Sequence, residues 1–328
     1  MRILFISDPL FTESAIYNEE GYANLPMLQS MPCDLLVATT ADQARQSIDS
    51  ADVVLLEAMR GVAFRDELSF INKSNAFVGA FYCDVWRAPF WYQSEISIDL
   101  NICVYRKGAL RVHTSWTEGA NFLWLPPRVK TVDYVEKRDV DIVTWGAMGR
   151  EYPFRNFAYQ ALLQQLIGGP RRNAQPLKLE PGLTENTIQI RSEKYKWHSI
   201  TGKRLQGPFY GSKLMAALSR CKVCPTGPVL QNGVGSVVAR FFENAAAGLV
   251  SITSQMDDAD ALGFKHGENI WFSSGERFFS DLDRLLFVDT DLRYAISESA
   301  HQLISDRHSV EVRALELYNA LKEKTGGI

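Results

Sequence analysis

The 328-residue sequence holds no apolar run of the ~18–20 residues that cross a bilayer. Its opening run, Ile3-Leu4-Phe5-Ile6, stops before Asp8 and is too short for a signal-peptide core. A cytoplasmic protein is therefore expected. Neither charge dominates: 35 Lys+Arg stand against 38 Asp+Glu, a formal net charge of −3. That balance argues against nonspecific affinity for nucleic acid, although it leaves a local basic groove open. Five cysteines, Cys33, Cys83, Cys103, Cys221 and Cys224, form an odd, scattered set that suits reduced thiols rather than a disulfide framework. Cys221 and Cys224 have CxxC spacing but no second pair and no nearby His cluster. They read as core thiols, and no metal site is expected. The sequence also lacks Gly-x-Gly-x-x-Gly and Gly-Lys-Ser/Thr, which argues against a dinucleotide oxidoreductase and a P-loop enzyme.

What is present is a globular composition, 46% hydrophobic and 22% charged, with enough chain for two cores. Short apolar runs recur at Ile3–Ile6, Leu35–Ala38, Val53–Leu56, Phe77–Tyr82, Ile102–Tyr105 and Phe122–Leu125. Runs of this length between polar stretches read as buried parallel strands. Pro126-Pro127 and the charged stretch Asp133–Asp141 then mark an interdomain crossing, placed near Val135. Beyond it, strand Ile142–Trp145, helix Pro153–Ile167, an irregular stretch through His198, helix Phe209–Ser219 and strand Lys222–Pro225 repeat the logic. Helix Val237–Ala247, strands Leu249–Thr253 and Asn269–Phe272, and three helical segments, Glu276–Phe287, Asp289–Ser305 and Ser309–Lys322, complete the chain. The expected fold class is α/β: two facing Rossmann-like domains with a C-terminal helical tail. They divide as 1–134, 135–308 and a final helix, 309–328, packing back towards the first domain. In such folds ligands bind beyond the carboxyl ends of the strands, so the informative residues should follow strands.

After strand Ile142–Trp145, Gly146, Arg150 and Arg155 flank the start of a helix. A glycine lets backbone approach an anion, and two guanidiniums with a helix N-terminus can clamp a diphosphate. The bland reading is a solvated turn with surface cations. Arg240 and Glu243, three apart, share a helical face, either as an intrahelical ion pair or with Glu243 accepting from a ribose diol. Gly233 and Gly235 lie just upstream, where backbone could approach a phosphate. In the first half, Asp8, Asp84, Trp86, Arg87 and His113 follow strands. Asp84 is a candidate to position or deprotonate an acceptor hydroxyl, or else a helix cap or turn residue. His113 is more often a satisfied structural histidine than a base, and Trp86, Trp91 and Tyr92 read either as rings that stack on a sugar or base or as buried packing.

The run Arg240-Phe241-Phe242-Glu243-Asn244-Ala245-Ala246-Ala247-Gly248, strand Leu249–Thr253 and then Gly267-Glu268-Asn269-Ile270-Trp271-Phe272 resemble the donor-binding signature of group 1 glycosyltransferases with the GT-B fold. The likeness is nearest to the CgeB-like (spore maturation) branch, which also shows a Gly…Tyr-Pro-x-Arg stretch, matched by Gly146 and Tyr152-Pro153-Phe154-Arg155. The resemblance covers roughly residues 139–315. It implies a nucleotide-sugar donor, expected to be a UDP-sugar, and no other cofactor. Glu243 would meet the ribose, Arg150 and Arg155 the phosphates, and Arg240 is a further phosphate candidate. The second Glu of the classical family, eight residues earlier, is Gly235 here, so the usual contact to the donor sugar is missing. Transfer without a divalent metal is implied as well.

The sequence thus points to a glycosyltransferase that moves a sugar from a nucleoside-diphosphate sugar to an acceptor hydroxyl in an interdomain cleft, with Asp84 and Arg155 as catalytic candidates. Asp8, Trp86, Arg87 and His113 are the acceptor-side candidates. A more distant resemblance, to phage α-glucosyltransferases that modify hydroxymethyl-pyrimidines, makes DNA an alternative acceptor. Lys194-Tyr195-Lys196-Trp197-His198 with Lys203-Arg204, otherwise a solvated loop, would then supply cations and aromatics. A further alternative, motivated by Gly235, is a non-catalytic nucleotide-sugar binding module.

Overall fold

The computed structural model describes residues 1–7, 24–57, 65–82, 96–146, 150–167, 187–191, 196–200, 211–231 and 233–327. The chain divides into two compact units, Met1–Arg128 with Arg307–Ile328, and Val129–Asp306.

The first unit is built on a six-stranded sheet: β1 (Arg2–Ile6), β2 (Asp34–Ala38), β3 (Val53–Glu57), β4 (Phe77–Tyr82), β5 (Leu100–Cys103) and β6 (Phe122–Trp124). Every pairing is parallel and the order is β2-β1-β3-β4-β5-β6. Parallel strands are covered on both faces, which is why β1 and β3 read as unbroken apolar runs and are buried almost throughout. Helices α1 (Asn24–Gln29), α2 (Ala41–Ser47) and α3 (Lys107–Val112) join the strands. Thr40 caps α2 by accepting from the Gln43 N–H.

The second unit carries β7 (Val140–Trp145), β8 (Thr187–Arg191), β9 (Lys196–Ile200), β10 (Cys221–Pro225), β13 (Val250–Thr253) and β14 (Trp271–Phe272) in the order β14-β13-β10-β7-β9-β8. All pairs are parallel except β8 with β9. A separate antiparallel ribbon, β11 (Val229–Gln231) and β12 (Val234–Ser236), follows β10. The helices are α4 (Pro153–Ile167), α5 (Gly211–Ser219), α6 (Ala239–Ala246), α7 (Phe278–Asp283) and α8 (Thr290–Arg307). Pro153 opens α4, where a missing N–H costs nothing. Past α6, Gly248 sits at φ +70°, and a Cβ there would meet the Arg138 guanidinium and the Tyr134 ring. Only glycine therefore ends this helix without strain.

The last helix, α9 (Val310–Lys324), belongs to the first unit: Ala314, Leu317 and Leu321 are buried with Ile3, Phe5, Val53 and Ile102 in one core. Ser309 caps it, accepting from the Val312 N–H. The second unit has its own core, with Ile142, Val223 and Val250 packed against Phe154, Phe278 and Leu282.

Two expectations change, and one segment without an expected element gains one. The stretch before His198, read as irregular or as a solvated loop, contains β8 and β9; Lys196, Trp197 and His198 lie in β9, Lys196 paired with β8 and the other two with both β7 and β8. The segment after β10 forms the β11–β12 ribbon. The helix expected over Glu276–Phe287 is α7 followed by a single π-helical turn, Arg284–Val288.

Candidate functional site

In the second sheet the chain moves from β7 to β9 on one side and then to β10 on the other, so the order reverses between β7 and β10. The carboxyl ends of these two strands are where an open α/β sheet offers its ligand crevice. Trp145 and Gly146 end β7, and Pro225, Thr226 and Gly227 end β10. The first turns of α4 and α6 bring Arg155 and Arg240 to the same place.

Both arginines are interior side chains, Arg155 being 1% exposed and Arg240 4%. Arg155 donates to the Gly227 carbonyl at 3.2 Å and lies at the limit of reach of the Thr226 hydroxyl, 3.5 Å. Its guanidinium carbon stands 4.0 Å from the centre of the Tyr152 ring. The Arg240 guanidinium lies 4.5 Å from the Trp145 ring centre and 5.9 Å from that of Tyr152. Tyr152 thus carries one guanidinium closely and a second nearby, each drawn to the negative ring face. Gly146 makes room for it. Its φ is +80°, and a Cβ there would stand 1.9 Å from Arg240 Nη2, so both conformation and space demand glycine.

Beneath the guanidiniums is a buried polar hub. Asn244, 0% exposed, accepts from Trp145 Nε1 at 2.9 Å and donates to Ser251 Oγ at 3.0 Å. It thereby ties α6 to β7 and β13. Burial pushes the neighbouring Cys224 thiol up to about 12, with hydrogen bonds from Asn244 and Trp145 partly opposing the shift. Burial raises Cys221 as well. Both are protonated core thiols at neutral pH.

The β11–β12 ribbon closes another side. Leu230 donates its N–H to the Glu151 carbonyl at 2.7 Å, which links the ribbon to the segment after β7. Gly235 and Asp257 form a double clasp: the Gly235 N–H donates to Asp257 Oδ2 at 2.8 Å, and the Asp257 N–H donates to the Gly235 carbonyl at 2.8 Å. The Gly235 N–H is thus committed to a carboxylate and not offered to a phosphate. A Cβ at Gly235 would make only ordinary contacts, the nearest at 3.6 Å, so space does not require glycine there. Asp258, next in the chain, holds φ 60°. Gly233 is exposed at the ribbon turn with φ +74°.

Of the other residues singled out in the sequence, Arg150 is exposed in a turn and Glu243 is half-buried on α6. His113 is buried and stacked on Trp116, ring centres 4.0 Å apart and 13° from parallel, as a packed core histidine would be. Asp8, Asp84, Trp86 and Arg87 lie outside the described residues, as do Lys194, Tyr195, Lys203 and Arg204. Sequence reasoning passed over Trp145 and Asn244. The one signal for Asn244 was a polar residue amid Phe241, Phe242, Ala245 and Ala246, one helical turn after Arg240. It also passed over Glu57 at the end of β3. There Asn24 Nδ2 donates to the buried Glu57 carboxylate at 2.5 Å, and the buried Arg128 donates to Asn24 Oδ1. Among the described residues no group of three or more His, Cys, Asp or Glu is placed to hold a metal ion. No helix among them is long and apolar enough to cross a membrane.

Two six-stranded Rossmann-like sheets, one with two buried guanidiniums at its strand-order reversal, define the class of fold, and comparison with solved structures identifies it as that of GT-B glycosyltransferases. Anabaena Alr3699/HepE in complex with UDP matches with a TM-score of 0.61 and 10% identity, over 98% of this chain and 100% of that one. A glycosyltransferase from Rickettsia africae ESF-5 matches at 0.58 with 12% identity, over 98% of each chain. T4 phage β-glucosyltransferase also matches at 0.58 with 12% identity, over 98% of this chain and 99% of that one. No curated protein matches by sequence. A family model described as glycosyl transferase-like matches residues 132–319, more than half of the chain. The chain belongs to the glycosyl transferase-like family and is a glycosyltransferase.

Proposed function

We propose that the protein transfers a sugar from a nucleoside-diphosphate sugar, a UDP-sugar, to an acceptor hydroxyl. The observation that carries this reading is the pair of interior guanidiniums around Tyr152 at the β7–β10 reversal. Fixed cations at that position are suited to the charge that develops on a departing diphosphate, and stabilising that charge is where such a transfer gains most of its rate. Arg240 and Arg155 supply the cations. Arg155 also braces the Thr226–Gly227 turn, Gly146 admits the phosphates, and Glu243 takes the ribose diol. Uridine as the base is supported by the HepE structures with UDP and with UDP-glucose and by the pneumococcal O-GlcNAc transferase GtfA with UDP and GlcNAc. The Gly146…Tyr152-Pro153-Phe154-Arg155 stretch, placed at the site, supports assignment to the CgeB-like branch.

The first unit takes the acceptor, a saccharide or another hydroxyl-bearing molecule, and catalysis needs no divalent metal. The free cysteines among the described residues suit a cytoplasmic enzyme. Thermal unfolding against a panel of nucleoside diphosphates and nucleotide sugars tests the donor, since a ligand of the native state raises the midpoint by mass action. UDP and one UDP-sugar should stabilise, and slow hydrolysis of that sugar should follow without EDTA sensitivity. Nucleotide binding with neither hydrolysis nor transfer to any acceptor would instead define a non-catalytic module. Hydroxymethylated DNA as acceptor is recognisable by a steep fall of transfer with salt, which a saccharide would not show.

A further inference from the structure

Residues i and i+4 of α6 grip one indole from two directions. Asn244 holds the Trp145 edge through Nε1 at 2.9 Å, and the Arg240 guanidinium lies on its face at 4.5 Å. Asn244 is itself anchored to β13 through Ser251 Oγ at 3.0 Å. Its side chain therefore has no rotamer to spare, and the indole it holds sets the plane on which Arg240 rests. Gly146, in turn, leaves no Cβ that would push the guanidinium away. Resting on the donor reading above, we propose that Asn244 is a positioning residue for the donor phosphates. It acts through Trp145 to fix the Arg240 guanidinium at the β7–β10 reversal.

The physical reason is preorganisation. A guanidinium on a long, rotamer-rich stem loses freedom on binding an anion unless the protein has already removed it. An amide is suited to the task, because it accepts from the indole and donates to Ser251 at once without placing a charge beneath a cation. Aspartate would accept from the indole but could not donate to Ser251, and would add a negative charge under the site. Alanine would lose both bonds.

The test is a double-mutant cycle on nucleotide affinity, with UDP and uridine as probes and thermal midpoints recorded throughout. N244A should weaken UDP about tenfold and leave uridine, which carries no phosphate, within about twofold. R240A should weaken UDP more, and N244A/R240A should be no weaker than R240A, because a residue acting only through Arg240 has nothing left to position. W145F, which keeps a ring but lacks the indole N–H, should reproduce part of the N244A loss. It carries the test if N244A fails to fold. Equal losses for UDP and uridine, additivity in the cycle, or wild-type UDP affinity in N244A and W145F would overturn the assignment while leaving the donor reading intact. Wild-type UDP affinity in R240A would overturn this proposal and leave the donor reading resting on Arg155, whereas no UDP binding by the wild-type protein would overturn the donor reading and this proposal with it.

Discussion

The two units build one kind of sheet and end its strands in different side chains. Each has a six-stranded sheet, a core of aliphatic and aromatic residues and a reversal of strand order, between β1 and β3 in the first and between β7 and β10 in the second. At the first reversal stand Ser7 and the buried chain Glu57–Asn24–Arg128, in which one carboxylate and one guanidinium are joined through an amide. At the second stand two guanidiniums around one phenol ring. The strands beneath are interchangeable in kind, and the residues at their carboxyl ends are not. Fold sets where a ligand can bind, and the side chains that emerge there set its charge. A cationic reversal suits a diphosphate, whereas the first reversal ties its carboxylate to a guanidinium through an amide.

If that contrast is sound, the largest effect should come from Arg155→Ala. Loss of the charge should lower turnover by about 100-fold or more. Because the side chain is buried and holds the Gly227 carbonyl, the thermal midpoint should fall as well, reflecting about 1–3 kcal/mol for an acceptor left without its partner. Paired turnover and unfolding measurements would show both losses, and unchanged turnover would remove Arg155 from the site. Gly146→Ala should come next. The new methyl both strains φ and displaces the Arg240 guanidinium, so UDP affinity should drop about tenfold with a stability loss of about 1–2 kcal/mol. Affinity equal to wild type by calorimetry would show that Arg240 does not meet the phosphates.

Glu57→Gln tests the other unit. It should change the KM for acceptor several-fold while leaving UDP affinity untouched, and a loss of UDP affinity instead would erase the division of labour between the units. The smallest effect is alkaline. Folded Cys224 keeps its proton up to about 12, whereas an unfolded thiol releases it near 9.0, so stability is full below about 9 and declines as pH rises from there. Cys221 is shifted in the same direction. The C221A/C224A double variant should show a shallower decline between pH 9 and 10.5 in urea titrations, by up to about 1.4 kcal/mol per pH unit for each thiol removed.

What was legible follows from how each element is buried. β1, β3, β4, β7 and β10 lie inside parallel sheets and carry apolar runs that announce themselves, and α4 shows both its proline start and its length. β8 and β9, with Gln189, Arg191, Lys196 and His198 among their residues, carry no such run, and the β11–β12 ribbon sits in a segment rich in Gly and Pro. Their pairing depends on partners distant in the chain, such as β7 for β9. Arg155 and Arg240 were visible as cations near helix starts, but their burial and their shared phenol ring were not.

The sequence by itself determined two α/β units, a family signature in residues 240–272 and cations near two helix starts, because apolar periodicity and residue chemistry are local properties. Tertiary structure alone decided that Arg240 rests on Trp145, that Asn244 holds that indole and that Asp257 takes the Gly235 N–H. Each of these joins residues from separate elements. A buried polar group is defined by the partner that folding brings to it, and no window of sequence contains that partner.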